Sequence, residues 1–190
     1  MRKLTKILFV FVVCLLLSSC DFSEENALAK KQEMIYSSYQ HTLNTIKKYP
    51  NVNTNLNHAY GWAIFTNKKE VTYQTNYGYG LAHNNLSNKY TFMKMKVPSK
   101  KFFDDKKIKI IFVFRTKEAF ENFVKTGLLL TPPPKHPIEQ TKMNTDNSIY
   151  SMRNYQTNVI GYLITKKGFA TKVDINKIQY WKDASLNNRD

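Results

Sequence analysis

From Val71 to Leu81 the chain changes side-chain character at every second residue, a pattern that a helix cannot use. Val71, Tyr73, Thr75, Tyr77, Tyr79 and Leu81 alternate with Thr72, Gln74, Asn76, Gly78 and Gly80. Successive side chains of a strand point to opposite faces, so this stretch predicts a half-buried strand with tyrosines on one face. Gly78 and Gly80 fall on the other face, where a glycine marks a bulge or the close approach of another group. An isolated strand buries too little to persist and needs neighbours. The flanks supply them. Ala59 to Phe65 is a compact apolar run, followed by a turn at Asn67-Lys68-Lys69-Glu70. On the other side, turn residues at Asn84-Asn85 and Ser87-Asn88 lead into Tyr90 to Val97. That third run places Met93, Met95 and Val97 on one face and Phe92, Lys94 and Lys96 on the other. Three consecutive strands of this kind make an antiparallel meander.

The period differs on either side of the meander. In Asn26 to Tyr49, apolar positions Leu28, Ile35, Tyr39, Leu43 and Ile46 recur at spacings of seven, four, four and three. This is the stripe of an amphipathic helix, ended where Tyr49 precedes Pro50. Such a helix either packs on its own domain or lies in a membrane interface. Beyond Pro98 a charged loop, Ser99 to Lys107, precedes Ile108 to Phe114, apolar enough for a central strand. Thr116 is placed as an N-cap and Gly127 as a C-cap of a short helix with Ala119, Phe120, Phe123 and Val124 on one face. Pro132-Pro133-Pro134 and Lys135 to Asn147 read as loop. Ile149 to Arg153, Val159 to Thr165 and Phe169 to Val173 read as the last strands, before a short helix over about Asp174 to Trp181. The expected fold class is α+β: a mostly antiparallel, curved or barrel-like sheet with an N-terminal amphipathic helix and one short inserted helix.

The amino terminus carries an address. Arg2, Lys3 and Lys6 precede an unbroken apolar run from Ile7 to Leu17, closed by Ser18, Ser19 and Cys20. A cationic head, a short apolar core and a small-residue exit describe a secretory signal, and the core is too short for a spanning helix. Leu17-Ser18-Ser19-Cys20 resembles the bacterial lipobox. That resemblance implies cleavage before Cys20 and attachment of lipid to its thiol. The expected organisation is a signal peptide at 1–19, a lipidated tether at 20–25, a single α+β domain at 26–182 and a polar tail at 183–190. Asp21 matches the enterobacterial signal that retains a lipoprotein on the inner membrane. The expected localisation is therefore the cell membrane, lipid-anchored on the exported, periplasmic face. The only other cysteine, Cys14, leaves with the signal, which removes disulfides, redox pairs and thiolate metal sites from the mature domain. Losing Arg2, Lys3 and Lys6 lowers the formal charge from +15 to +12. Such a domain is drawn to anionic lipid or envelope polymer, and export makes nucleic acid the least available partner.

No catalytic pattern accompanies this charge. His41, His58, His83 and His136 are not at metal-ligand spacing, and no nucleophile elbow or phosphate loop is present. Asp104-Asp105 is an adjacent acidic pair in a lysine-rich loop, unlike carboxylates that face each other across a substrate. The chain is read as non-enzymatic, with no catalytic residue, metal site or cofactor. The binding candidates are Tyr73, Tyr77 and Tyr79, which either line an amphipathic groove or cover the core beneath the first helix. To these are added Phe92, Lys94 and Lys96, which pair cations with apolar surface as contact with an anionic head group requires.

Three blocks resemble the bacterial SYLF-domain family of lipid-binding proteins. They are Ala59-Tyr60-Gly61-Trp62-Ala63-Ile64-Phe65 with Tyr77-Gly78-Tyr79-Gly80, then Lys109 to Phe114 leading into Glu118 to Phe123, then Ile149-Tyr150-Ser151 with Gly161-Tyr162 and Thr171 to Asp174. The chain departs from the family where a Gly-Pro-x-Gly segment is replaced by Thr131-Pro132-Pro133-Pro134-Lys135-His136. The resemblance implies a membrane-anchored envelope lipoprotein that binds lipid or an amphipathic anionic ligand, with anionic phospholipid as partner. The rival expectation is an interaction lipoprotein with an envelope protein partner, acting in envelope assembly or in phage or plasmid exclusion.

Overall fold

A computed structural model describes residues 2–66, 77–97, 109–127, 139–142, 149–154, 158–164 and 178–188, with side chains described for 24–66, 77–97, 109–127, 158–164 and 178–188. The architecture is α+β, as expected. Helix α1 spans Arg2–Ile46, and α2 spans Pro50–Asn57. The strands are β1 (Gly61–Thr66), β2 (Tyr77–Asn84), β3 (Lys89–Lys96), β4 (Lys109–Phe114), β5 (Glu139–Lys142), β6 (Ile149–Asn154), β7 (Val159–Ile164) and β8 (Gln179–Lys182). Helix α3 (Lys117–Thr126) follows β4, and α4 (Ala184–Asn187) follows β8. The strands form one sheet of order β5-β6-β7-β4-β1-β2-β3-β8, antiparallel throughout. Among the described strands it is open, with β5 and β8 at its ends, and so is a curved sheet and not a closed barrel.

The centre of the sheet is buried on both faces. Along β1, Trp62 and Ile64 join one core while Ala63 and Phe65 join the other. On β4, Ile111 and Val113 face the first core, and Ile110, Phe112 and Phe114 face the second. Continuous apolar runs of this kind are what two-sided burial requires. The first core is closed by α1 and α2 through Ile35, Tyr39, Ile46, Val52 and Leu56, with Leu28 and Leu43 half-buried at its margin. All five expected stripe positions thus turn inward, and α1 packs on its own domain. The second core is closed by α3 through Phe120 and Phe123, against Phe65, Phe112, Phe114 and Tyr180.

The local signals act as their chemistry dictates. The Thr116 hydroxyl accepts from Ala119 N at 3.3 Å and caps α3. Gly127 ends that helix at φ 73°, a left-handed angle, at a place where an added Cβ would run into the backbone carbonyl of Tyr180. Gly80 lies under the ring of Phe65, so a glycine here is required by close approach. The Asn84 side chain accepts from Leu86 N and Ser87 N, tightening the β2–β3 turn, in which Asn88 takes φ 54°.

Several expectations are corrected. Residues 21–25, expected as a short polar tether, are helical, because α1 runs through them without a break. Residues 50–57 form α2, with Pro50 in the first turn, where its missing N–H does no harm. Residues 139–142, expected as loop, add β5 at the edge of the sheet. Residues 179–182 are strand and not helix, because Tyr180 is needed in the second core while β3 offers an unpaired edge. The expected polar tail instead folds back as α4, burying Asp183 and Leu186. Residues 67–76, 98–108, 128–138, 143–148 and 165–177 lie outside the described set, and with them Tyr73, His136, Asp104-Asp105, the prolyl turn and the expected strand at 169–173.

Truncating Phe123 to alanine removes a ring held by Phe65, Phe112, Phe114 and Tyr180. Phe123→Ala is expected to lower unfolding stability by about 3–5 kcal/mol, read as a fall in urea midpoint at unchanged slope. A loss below about 1 kcal/mol would mean that α3 does not close this core.

Candidate functional site

The sheet has two poles, and side-chain chemistry separates between them. Helix α1 runs alongside β2 in the same direction: Lys31 stands over Tyr79, and further along Tyr39 stacks on Trp62, the register partner of His83. The pole at which β2 begins is therefore the one from which α1 extends back toward Cys20. Strands β1, β3 and β7 end there, and β4, β6 and β8 begin there.

At this pole the expected candidates come together on the α1 side of the sheet. Register pairs Tyr77 with Lys96, Tyr79 with Lys94, and Leu81 with Phe92. Directly opposed residues of an antiparallel pair share a face with close Cβ atoms, so cations and rings are interleaved. The Lys96 ammonium lies 5.6 Å from the centre of the Tyr77 ring, and the Lys31 ammonium 4.3 Å from that of Tyr79. Trp181 of β8, paired with Lys94, meets Tyr77 edge-on at 6.2 Å. Tyr77, Tyr79, Phe92, Lys94, Lys96 and Trp181 are all half-buried, forming a ledge of apolar rings with ammonium groups along it. Leu81, by contrast, is fully covered under α1, and Phe92 packs at the margin of that core. The tyrosine face is thus core under α1 at one end and a ledge at the other.

Lys94 is the exception among the cations. Its ammonium lies 3.1 Å from the Asp183 carboxylate, with side-chain exposures of 29% and 1% respectively. Asp183 also accepts from Ser185 N at 3.1 Å and from Ser185 Oγ at 2.6 Å, capping α4. Asn187 completes the clamp: its amide donates to Phe92 O and its oxygen accepts from Phe92 N. Gln32 of α1 donates to Leu186 O at 2.8 Å, tying the helix to the same segment. Lys94 therefore holds the carboxyl-terminal segment in place, while Lys31 and Lys96 keep their ammonium groups on the rings.

The opposite pole holds a second aromatic group. Tyr39 stacks on Trp62 at 4.9 Å, His83 lies 4.7 Å from Trp62 and 4.5 Å from Tyr90, and Tyr36 meets Tyr90 edge-on. Burial, with a hydrogen bond to Tyr90, pushes the Tyr39 hydroxyl far above the ordinary phenol range, and burial raises Tyr90 as well. Asn85 donates to Leu56 O and Ala59 O, which turns its oxygen toward Nδ1 of His83. The two ring nitrogens of His83, Nδ1 and Nε2, lie 3.1 Å from Asn85 Oδ1 and 2.9 Å from Asn88 Oδ1. His83 is thus held as part of a packed corner. His58 contacts Thr54 O of its own helix, and His41 is exposed on α1. Among the described residues no three metal-ligating side chains gather.

Sequence reasoning missed Trp181, Lys31 and Asp183. Trp181 and Asp183 fall in segments that read as helix and tail, and only the pairing of β8 with β3 brings them to the ledge. Lys31 sits beside the apolar stripe of α1, a position that becomes informative once the helix is laid along β2. The chain matches no family model, and no curated protein matches it either.

Two outcomes test this geometry. In a double-mutant cycle, Lys94→Met and Asp183→Asn should show a coupling of about 1–3 kcal/mol in unfolding stability; additive losses would mean the pair does not act together. Tyr39, Tyr90 and Tyr180 are all raised in the folded state, the last by complete burial. The folded protein therefore holds phenol protons that the unfolded chain releases near pH 10, so stability is full below about pH 10 and falls above it. Tyrosinate absorbance recorded with increasing pH should show these three rings ionising only as the fold is lost. Ionisation of every tyrosine near pH 10 in the native state would contradict the packing.

Proposed function

We propose that the protein is a lipid-anchored, non-enzymatic envelope lipoprotein whose domain binds anionic phospholipid through the ledge of Tyr77, Tyr79, Trp181, Lys31 and Lys96. The observation that carries this reading is the alternation of ammonium groups and half-buried rings on one continuous face. Rings with an apolar body and a polar tip suit the interfacial zone of a bilayer, and lysines beside them meet head-group phosphates. The two ammonium groups already placed over Tyr77 and Tyr79 occupy the ring faces that a choline cation would take. This favours anionic over zwitterionic lipid. The leader ending in Leu17-Ser18-Ser19-Cys20 and the SYLF-like blocks support the same reading from the sequence.

The alternative, an envelope protein partner, draws on a different place. Leu86 is 79% exposed at the tip of the β2–β3 turn, and Tyr36 is 41% exposed beside Tyr90, both at the pole away from Cys20.

The test uses the soluble fragment Asp21–Asp190, which lacks Cys20. It is floated with vesicles of zwitterionic or anionic phospholipid at low and high salt. Binding to anionic vesicles that partly survives high salt is expected. Each lysine near an anionic surface contributes about 1 kcal/mol, so Lys31→Gln with Lys96→Gln should weaken binding roughly 30-fold. Trp181→Ala should remove the part that resists salt. Binding abolished by salt would assign the effect to net charge alone, and no binding at either salt would leave the protein-partner reading.

A further inference from the structure

Resting on that reading, we infer that residues 20–31 of α1 are a rigid spacer that sets the ledge against the same membrane that holds Cys20. The ledge then reads lipid in cis and does not reach across to a facing membrane. Three observations carry the inference.

The first is direction. Helix α1 leaves the domain at the pole where the ledge lies, so chain and ledge point the same way. Had α1 run in the opposite sense along β2, an anchored Cys20 would have turned the ledge outward.

The second is length. The backbone is helical without a break from Arg2 to Ile46, so Cys20 and Lys31 belong to one helix. Eleven residues of helix separate Cys20 from Lys31, about 16 Å along the axis. Tyr77 and Lys96 lie two strand residues beyond Tyr79 toward Cys20, which recovers about 7 Å. The outer end of the ledge therefore stands roughly 10 Å from the level of Cys20, within lysine reach and about one Debye length.

The third is charge. The spacer itself carries Asp21 and Glu24 at its Cys20 end, while Lys30 and Lys31 come only at its domain end. Near anionic lipid the acidic part is repelled, so the spacer stands on the surface and does not lie along it. The cations that attract the surface are those on the ledge. A flexible tether would allow cis and trans contact alike; a standing helix of this length and direction allows cis.

The experiment uses the full, lipidated chain reconstituted into vesicles containing anionic phospholipid and a nitroxide carried on lipid head groups. Trp181 lies on the ledge and Trp62 is buried under α1, so head-group quenching reports Trp181. A Trp181→Phe chain supplies the background. The comparison is a chain with eleven helix-forming residues inserted between Glu25 and Asn26. Eleven residues are close to three whole turns, so the helix keeps its phase while the ledge is lifted by about 16 Å. Strong quenching in the native chain and at least a threefold loss on insertion are expected. Equal quenching in both chains would overturn the spacer. Absence of quenching in the native chain, or clustering of protein-bearing vesicles with protein-free anionic vesicles, would overturn the cis orientation. Flotation of the soluble fragment is run alongside. If the fragment binds anionic vesicles and the insertion has no effect, the inference fails alone; if the fragment does not bind, the reading beneath it fails and the inference with it.

Discussion

The fold depends on two adjacent strands with no side left for water. β1 and β4 pair along their whole length, and each sends alternate residues into two separate cores. A sheet with such a centre is stable only when both faces are covered. That demand calls for α1 and α2 on one side and α3 on the other. Everything else is laid out around these layers: the meander extends the sheet in one direction, and β7, β6 and β5 extend it in the other.

Much of this was legible before any coordinates, and the legible parts are those in which periodicity reports burial. The stripe from Leu28 to Ile46, the faces of β2 and β3, and the caps at Thr116 and Gly127 all follow from local chemistry. Segments misread, or left without a reading as Asn51 to Asn57 is, are those whose conformation is set by distant partners. Gln179 to Lys182 has no strong strand pattern of its own and extends because the edge of β3 is free and the second core has room for Tyr180. Asn51 to Asn57 is poor in helix formers. Its helix is started by Pro50 and held by Val52 and Leu56, four apart on one face. Asp183 looked like tail chemistry until Lys94 was found beside it.

The candidate site shows the same division. Tyr77, Tyr79, Lys94 and Lys96 could be named from alternation alone, because alternation tells which residues share a face. Their differing circumstances could not. Lys94 is bound to a buried carboxylate, whereas Lys96 rests on a ring, and that difference comes from β8 and α4, more than eighty positions away in the chain. Side-chain identity thus located the ledge, and tertiary structure decided which of its cations face outward.

The clamp between Asn187 and Phe92 joins residues 95 apart, and the bond from Gln32 to Leu186 joins residues 154 apart. A chain delivered from its amino terminus presents α1 and the meander long before the segment that fastens them. Until residues 179–187 arrive, the outer edge of β3 lacks β8 and Lys94 lacks Asp183. Closure of the domain is thus a non-local event in which residues 179–187 fasten elements formed by much earlier parts of the chain. Without that segment the sheet would end on the eight-residue β3 instead of the four-residue β8, and a long free edge invites pairing with other chains.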